Sequence, residues 1–212
     1  MNPEQQFGEI LERMKASAHG SQELAELSDL LRGLKKQRKQ FIADRFIEPA
    51  VSWDENRERG IWDDEAIAEK NKYWFLQGSL IESKHVVSPS GVAKHNDWLV
   101  LSADCDCARA KYINVGKVRQ LTDSSDDKEI LGIATALKTH KFFPIPPFSE
   151  HDHWSVVELE IPCFLERANY AALTRTAFWL SNDAWHILNA VLQAKHTRAL
   201  NIEESEKLRV PV

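Results

Sequence analysis

The residues best suited to chemistry form one short run, Ser102-Ala103-Asp104-Cys105-Asp106-Cys107, directly after the apolar stretch Trp98-Leu99-Val100-Leu101. A stretch of that kind, bounded by polar residues, predicts a buried strand, and residues at its end are held rigidly where they meet solvent. If the strand persists, Asp104 and Asp106 share one face, and Cys105 and Cys107 share the other. Two thiolates are half of a tetrahedral zinc shell. His151-x-His153 is the natural partner pair for Cys105 and Cys107, with His85, His95, His140 and Cys163 as other sources of ligands. The two aspartates suggest a different site. With Glu158 and Glu160, two residues apart on a later predicted strand, they could gather oxygen ligands around Mg²⁺ and support phosphodiester hydrolysis. Cys105 beside a histidine base would be a third arrangement, a nucleophilic thiol. Against all three stands a plainer account, in which the cysteines are small buried apolar residues and the aspartates turn the strand.

A second feature is Lys35-Lys36-Gln37-Arg38-Lys39, four cations in five residues. On a helix this is a solvated face or a patch that contacts phosphate groups. No aromatic residues interleave with it, which argues against base stacking at that place. The chain carries no phosphate-binding Gly-Lys-Ser/Thr loop, no Gly-x-Gly-x-x-Gly, no His-Glu-x-x-His and no Gly-x-Ser-x-Gly. With eight glycines in 212 residues, a dinucleotide or nucleoside-triphosphate fold is not expected.

The elements that must position these groups follow from periodicity. Phe7, Ile10, Leu11 and Met14 predict an amphipathic helix over residues 4–18. Leu24, Leu27, Leu31, Leu34, Phe41, Ile42 and Phe46 predict a second, capped by Ser21 and ending near Pro49. Together they read as a helical hairpin whose leucine stripe packs on the rest of the chain or on another subunit. Residues 50–64 read as a linker and residues 65–200 as a β-rich domain. Strands are expected near 80–87, 98–101, 112–121, 154–161 and 174–180, and Phe142 to Pro147 reads as an extended apolar segment, an edge or a loop that packs on the core. One helix is inserted from about 125, a last one follows Ser181-Asn182-Asp183, and residues 201–212 read as a charged tail. Strands and helices do not alternate, so the expected class is α+β, with a small bent antiparallel sheet or barrel.

Bulk properties limit the function. Twenty-seven Lys plus Arg against 32 Asp plus Glu give a formal net charge of −5, with no global attraction to nucleic acid. Three cysteines are not a disulfide framework, Met1 to Gln6 lacks the pattern of a signal peptide, and no apolar run is long enough to span a bilayer. These point to a cytoplasmic protein without a membrane anchor.

The stretch from Leu99 to Asp106 resembles a strand-ending Ser-x-x-Cys-Asp motif of small bacterial proteins that accompany mobile-element or phage-defence genes. The layout is similar, at the level of fold, to the SH3-like barrel of the MazF/PemK toxins. Asn96-Asp97-Trp98 stands where those toxins carry Arg-Pro before the strand. The resemblance implies a bacterial, defence-associated setting. The expected function is a non-enzymatic accessory protein that binds another protein, or itself, through its N-terminal helices. The alternatives are a metal-dependent hydrolase using Asp104, Asp106 and Glu158 or Glu160, and a zinc-stapled nucleic-acid binder using Lys35, Lys36, Arg38 and Lys39.

Overall fold

The computed structural model describes residues 2–17, 20–49, 77–92, 97–102, 107, 110–148 and 152–207. The predicted linker and most of the Asp104–Cys107 run therefore lie outside the described residues.

Phe7, Ile10, Leu11 and Met14 recur at helical spacing, and all four are buried along α1 (Pro3–Ala16). The Asn2 side chain caps it by accepting from the Glu4 amide at 3.1 Å. In α2 (Ser21–Gly33) the cap position belongs to Gly20, not Ser21. Gly20 has φ of 56°, and a Cβ there would lie 3.1 Å from Ala190 Cβ. Glycine alone combines that conformation with so close an approach. The expected long second helix is broken. After Gly33 the chain takes a 3₁₀ turn (Lys35–Gln37), entered through Lys35 at φ 47°, and α3 (Arg38–Phe46) starts afresh. Residues 35–40 carry no apolar side chain, so no burial holds the turn in register with α2.

Among the described residues nine strands form one sheet: β1 (Ile47–Pro49), β2 (Ser79–Glu82), β3 (Val86–Ser88), β4 (Gly91–Val92), β5 (Asp97–Val100), β6 (Tyr112–Gln120), β7 (Phe142–Ile145), β8 (Ser155–Glu166) and β9 (Thr174–Leu180). Their order is β1-β9-β2-β5-β6-β8-β3-β4, with β7 also on β8, and every pairing is antiparallel. The chain is thus α+β, with a helical N-terminal region. One helix, α4 (Ser125–Thr135), is inserted between β6 and β7. The last, α5 (Asn182–Lys207), runs on through residues expected to be tail.

Both faces of the sheet's centre are buried. Trp98, Leu99 and Val100 alternate between them, which is why the run reads as continuously apolar. On one face Leu80, Leu99, Val157 and Leu180 pack with Leu27, Leu31, Ile42 and Phe46 from the N-terminal helices, and with Ile187, Leu188 and Val191 from α5. The leucine stripe of α2 is therefore buried against its own chain. Each such side chain contributes about 1.5–3 kcal/mol. On the other face Ile81, Trp98, Val100, Ile113, Val115 and Leu165 enclose Tyr170 from a 3₁₀ segment (Arg167–Ala172). Trp98 donates its indole N–H to the Ser83 carbonyl at 3.0 Å, so its polar edge is satisfied in the core.

β8 is bulged. Val115 pairs with Cys163 and Lys117 with Glu158, so Gly116 alone faces residues 159–162. The Leu159 amide donates to the Lys141 carbonyl at 2.8 Å, and the Lys195 ammonium donates to the Leu159 carbonyl. Among the described residues no helix is long and apolar enough to cross a membrane.

Candidate binding cleft

At the end of β6 the chain turns into α4, and the turn is tied from both sides. The Leu121 amide donates to the Trp154 carbonyl at 2.8 Å. Ser124 caps α4 by accepting from the Asp127 amide at 3.2 Å. Asp127 folds back toward the strand. Its Oδ2 accepts from the Thr122 hydroxyl at 2.6 Å and the Thr122 amide at 2.8 Å, and its Oδ1 accepts from Arg119 Nη1 at 2.7 Å. Arg119 Nε donates to Glu158 Oε1 at 3.0 Å, and Lys117 Nζ lies 3.6 Å from Glu158 Oε2. The Thr122 and Arg119 donors hold the Asp127 carboxyl far below the usual carboxylate range, and Asp127 raises the Arg119 guanidinium in return.

Beside this network lies a cleft of about 460 Å³, walled by Gln120, Thr122, Asp123, Lys128, His153 and Lys39. Lys39 comes from the basic turn, which joins the cleft to the second sequence feature. Lys35, Lys36 and Lys39 are exposed, and among the described residues none of them, nor Arg38, has an ion-pair partner. Elsewhere cations are mostly matched, as in Arg13–Glu26, Arg45–Glu4, Lys111–Glu166 and Lys141–Glu160. Burial lowers the Arg38 guanidinium, and its Nε has no hydrogen-bond partner. The first turn of α3 holds no acid, so four positive charges crowd the positive end of a helix.

No family model matches the sequence, and no curated protein does.

The sequence candidates are dispersed. Cys107 is fully buried among Trp98, Val100 and Tyr170, with its thiol 3.5 Å from the Ser102 carbonyl. Cys163 lies in the same cluster, and burial pushes its thiol up. Ser102, the serine of the strand-ending motif, is buried and accepts from the Asn114 amide at 2.8 Å. His153 sits on the cleft wall, off the opposite end of β8 from Cys163. His85 is exposed beside Ser83, and His140 is half-buried after α4. Glu158 has an oxygen on each of two cations, and exposed Glu160 pairs with Lys141 at 2.9 Å. Asp104, Cys105, Asp106, His95 and His151 lie outside the described residues. Among the described residues no three His, Cys, Asp or Glu side chains gather at metal-binding range.

The network of Arg119, Thr122 and Asp127 was not singled out from the sequence. Its trace there is Ser124-x-x-Asp127, a cap residue followed three positions later by an acid at the start of an apolar helical run.

Proposed function

We propose that this chain is a non-enzymatic binding protein that takes an acidic segment of a partner protein on the turn formed by Lys35, Lys36, Arg38 and Lys39, and on the adjoining cleft. The observation that carries this reading is that, among the described residues, those four cations have no counter-ion, in a chain of net charge −5. Grouped like charges without a partner repel one another, and an anionic ligand removes that repulsion. An acidic peptide fits better than a nucleic-acid duplex. The patch spans one turn, too little for the run of phosphate contacts that holds a duplex, and the cleft's Asp123, Asp127 and Asp152 confine an anionic ligand to the side of Lys39 and the turn. A binding role is further supported by the ion pairs that hold Glu158 and Glu160 away from metal ligation. The leucine stripe is buried, so a partner of these helices meets their polar surface. Membership of a bacterial, defence-associated assembly is the setting that the Ser-x-x-Cys-Asp resemblance implies.

The test is fluorescence anisotropy with a labelled glutamate- and aspartate-rich peptide, and in parallel with a labelled single-stranded oligonucleotide. The peptide binds with an affinity that falls as salt rises, and Lys36→Glu/Lys39→Glu weakens it at least tenfold. Tighter, steeply salt-dependent binding of the oligonucleotide replaces the protein partner with a nucleic acid. If neither probe binds, the reading is wrong.

A further inference from the structure

Four neighbouring strands terminate side by side at one end of the sheet. Glu82 is the last residue of β2, Asp97 the first of β5, Gln120 the last of β6 and Ser155 the first of β8. Register pairs Glu82 with Asp97, and Gln120 with Ser155. Glu82 and Asp97 lie two residues from Leu80 and Leu99, and Gln120 and Ser155 lie two from Val118 and Val157, so all four share the face of the larger apolar cluster. A cavity of about 80 Å³ opens there, with Leu80, Val118 and Phe148 as its apolar wall and Asp97, Gln120 and Ser155 as its polar groups. Ser155 is buried, at 6% exposure, and among the described residues its hydroxyl makes no hydrogen bond, although buried hydroxyls are normally satisfied. Asp97 is half-buried, and among the described residues its carboxylate has neither a hydrogen bond nor an ion pair. Glu82 stands directly across from it, an arrangement of like charges that destabilises a strand pair. Lys117, next to Val118, is on the opposite face, where it pairs with Glu158 at 3.6 Å.

We propose that this cavity binds a primary ammonium carried on a short aliphatic stem. Charge is the first argument. A water molecule can satisfy Ser155, but only a cation offsets the two facing carboxylates. Donor number is the second. An ammonium has three N–H donors, and the Asp97 carboxylate, the Gln120 amide oxygen and the Ser155 hydroxyl are three acceptors for them. A guanidinium is larger and brings five donors to the same three groups. Size and polarity are the third. The volume is about that of three waters in the liquid, which leaves room for a few methylene groups. The wall of Leu80, Val118 and Phe148 takes such a stem out of water, whereas it offers no oxygen to a metal ion.

Gln120 is common to this cavity and the cleft, but the two sites take ligands of opposite sign, so either proposal can fail without the other. The experiment titrates n-butylammonium into the isotopically labelled full chain and follows backbone amide shifts by NMR, with n-butanol as the neutral control. Butylammonium shifts Leu80, Asp97, Val118 and Gln120 saturably, and butanol at the same concentrations does not. Asp97→Asn weakens the binding about tenfold while the rest of the spectrum stays in place, and Ser155→Ala weakens it about threefold. Nα-acetyllysine amide, titrated alongside, separates two sources of the same group. If it binds as well as butylammonium, the occupant is a lysine side chain of a partner; if butylammonium alone binds, the occupant is a free amine. The inference is overturned if neither probe gives a saturable shift at these residues, if butanol binds as strongly as butylammonium, or if Asp97→Asn keeps the wild-type affinity.

Discussion

Gly116 sits where β6 must pass the β8 bulge, and Gly116→Ala measures how tightly that crossing is packed. A Cβ built there falls 2.4 Å from Val157 Cγ1, with Leu101 Cδ1 at 3.3 Å and the Glu158 carbonyl at 3.4 Å. Carbon atoms settle at about 3.5–4.0 Å, so the overlap with Val157 exceeds an ångström. Val157 is fully buried, its branched side chain has little rotamer freedom, and its backbone is paired on one side with Val118 and on the other with Phe143. The added methyl must therefore push two strands apart. Overpacking of this kind costs about 1–3 kcal/mol, and the size of the overlap places this substitution near the upper value. With a urea m-value of about 2–3 kcal/mol/M, the unfolding midpoint falls by about 1 M at unchanged slope. A double-mutant cycle isolates the cause. Val157→Ala alone destabilises by opening a cavity, but combined with Gly116→Ala it removes the atom that clashes. The pair is then less damaging than the sum of the two by at least about 1 kcal/mol. Strict additivity, or a Gly116→Ala protein within about 0.5 kcal/mol of wild type, would refute the account.

Three further outcomes are expected. Because Asp127 is held below its ordinary pKa in the folded state, it adds stability above the unfolded value of about 3.9, and loses it as pH falls below that toward its own depressed pKa. The melting temperature of Asp127→Asn thus lies below wild type at neutral pH, and the gap closes on acidification; a gap that does not depend on pH contradicts this. Gln77 accepts from the Trp185 indole at 2.9 Å and donates to the Leu101 carbonyl and Asn189 Oδ1 at 2.8 and 2.9 Å. Gln77→Leu leaves these groups unsatisfied and costs about 2 kcal/mol in chemical denaturation. In a Cys105→Ser background, Cys107 and Cys163 resist an aromatic disulfide reagent in native buffer, and both react in denaturant. Native labelling of either cysteine would show that the second apolar cluster is open.

Much of the element order is legible in the residues because it depends on local rules. Phe7 to Met14 announce α1 by spacing, Ser124 announces α4 by its cap, and Trp98 to Val100 announce a doubly buried strand. The failures come where a distant partner decides. Leu34 continues the spacing of Leu31, which hides the local marks of the break, Gly33 and the six polar residues that follow Leu34. Pro162 suggests that the strand from residue 155 stops early, but it falls in the bulge, exposed, where its missing N–H has no ladder bond to make. The candidate site was harder to read. Cys107 and Glu158 look chemically able in one dimension. Only the packing of Cys107 with Trp98, Val100 and Tyr170 shows that it is sealed in a core, and only the pairing of β6 with β8 that Glu158 is held by Arg119 and Lys117. The row of strand ends Glu82, Asp97, Gln120 and Ser155 is invisible for the same reason, since each residue looks like an ordinary strand member until register aligns them.

The shared cluster beneath α2 also sets an order of events during synthesis. Leu24, Leu27 and Leu31 are buried with Ile187, Leu188 and Val191 of α5, and Glu48 accepts from the Trp179 indole across 131 positions of sequence. A ribosome adding about 5–20 residues per second makes the N-terminal helices roughly ten to thirty seconds before the helix that covers them. For that interval the leucine stripe lacks the α5 side chains that cover it in the folded chain. Its polar flanks and the lysines of the turn that follows are the charged residues nearest to it during that interval.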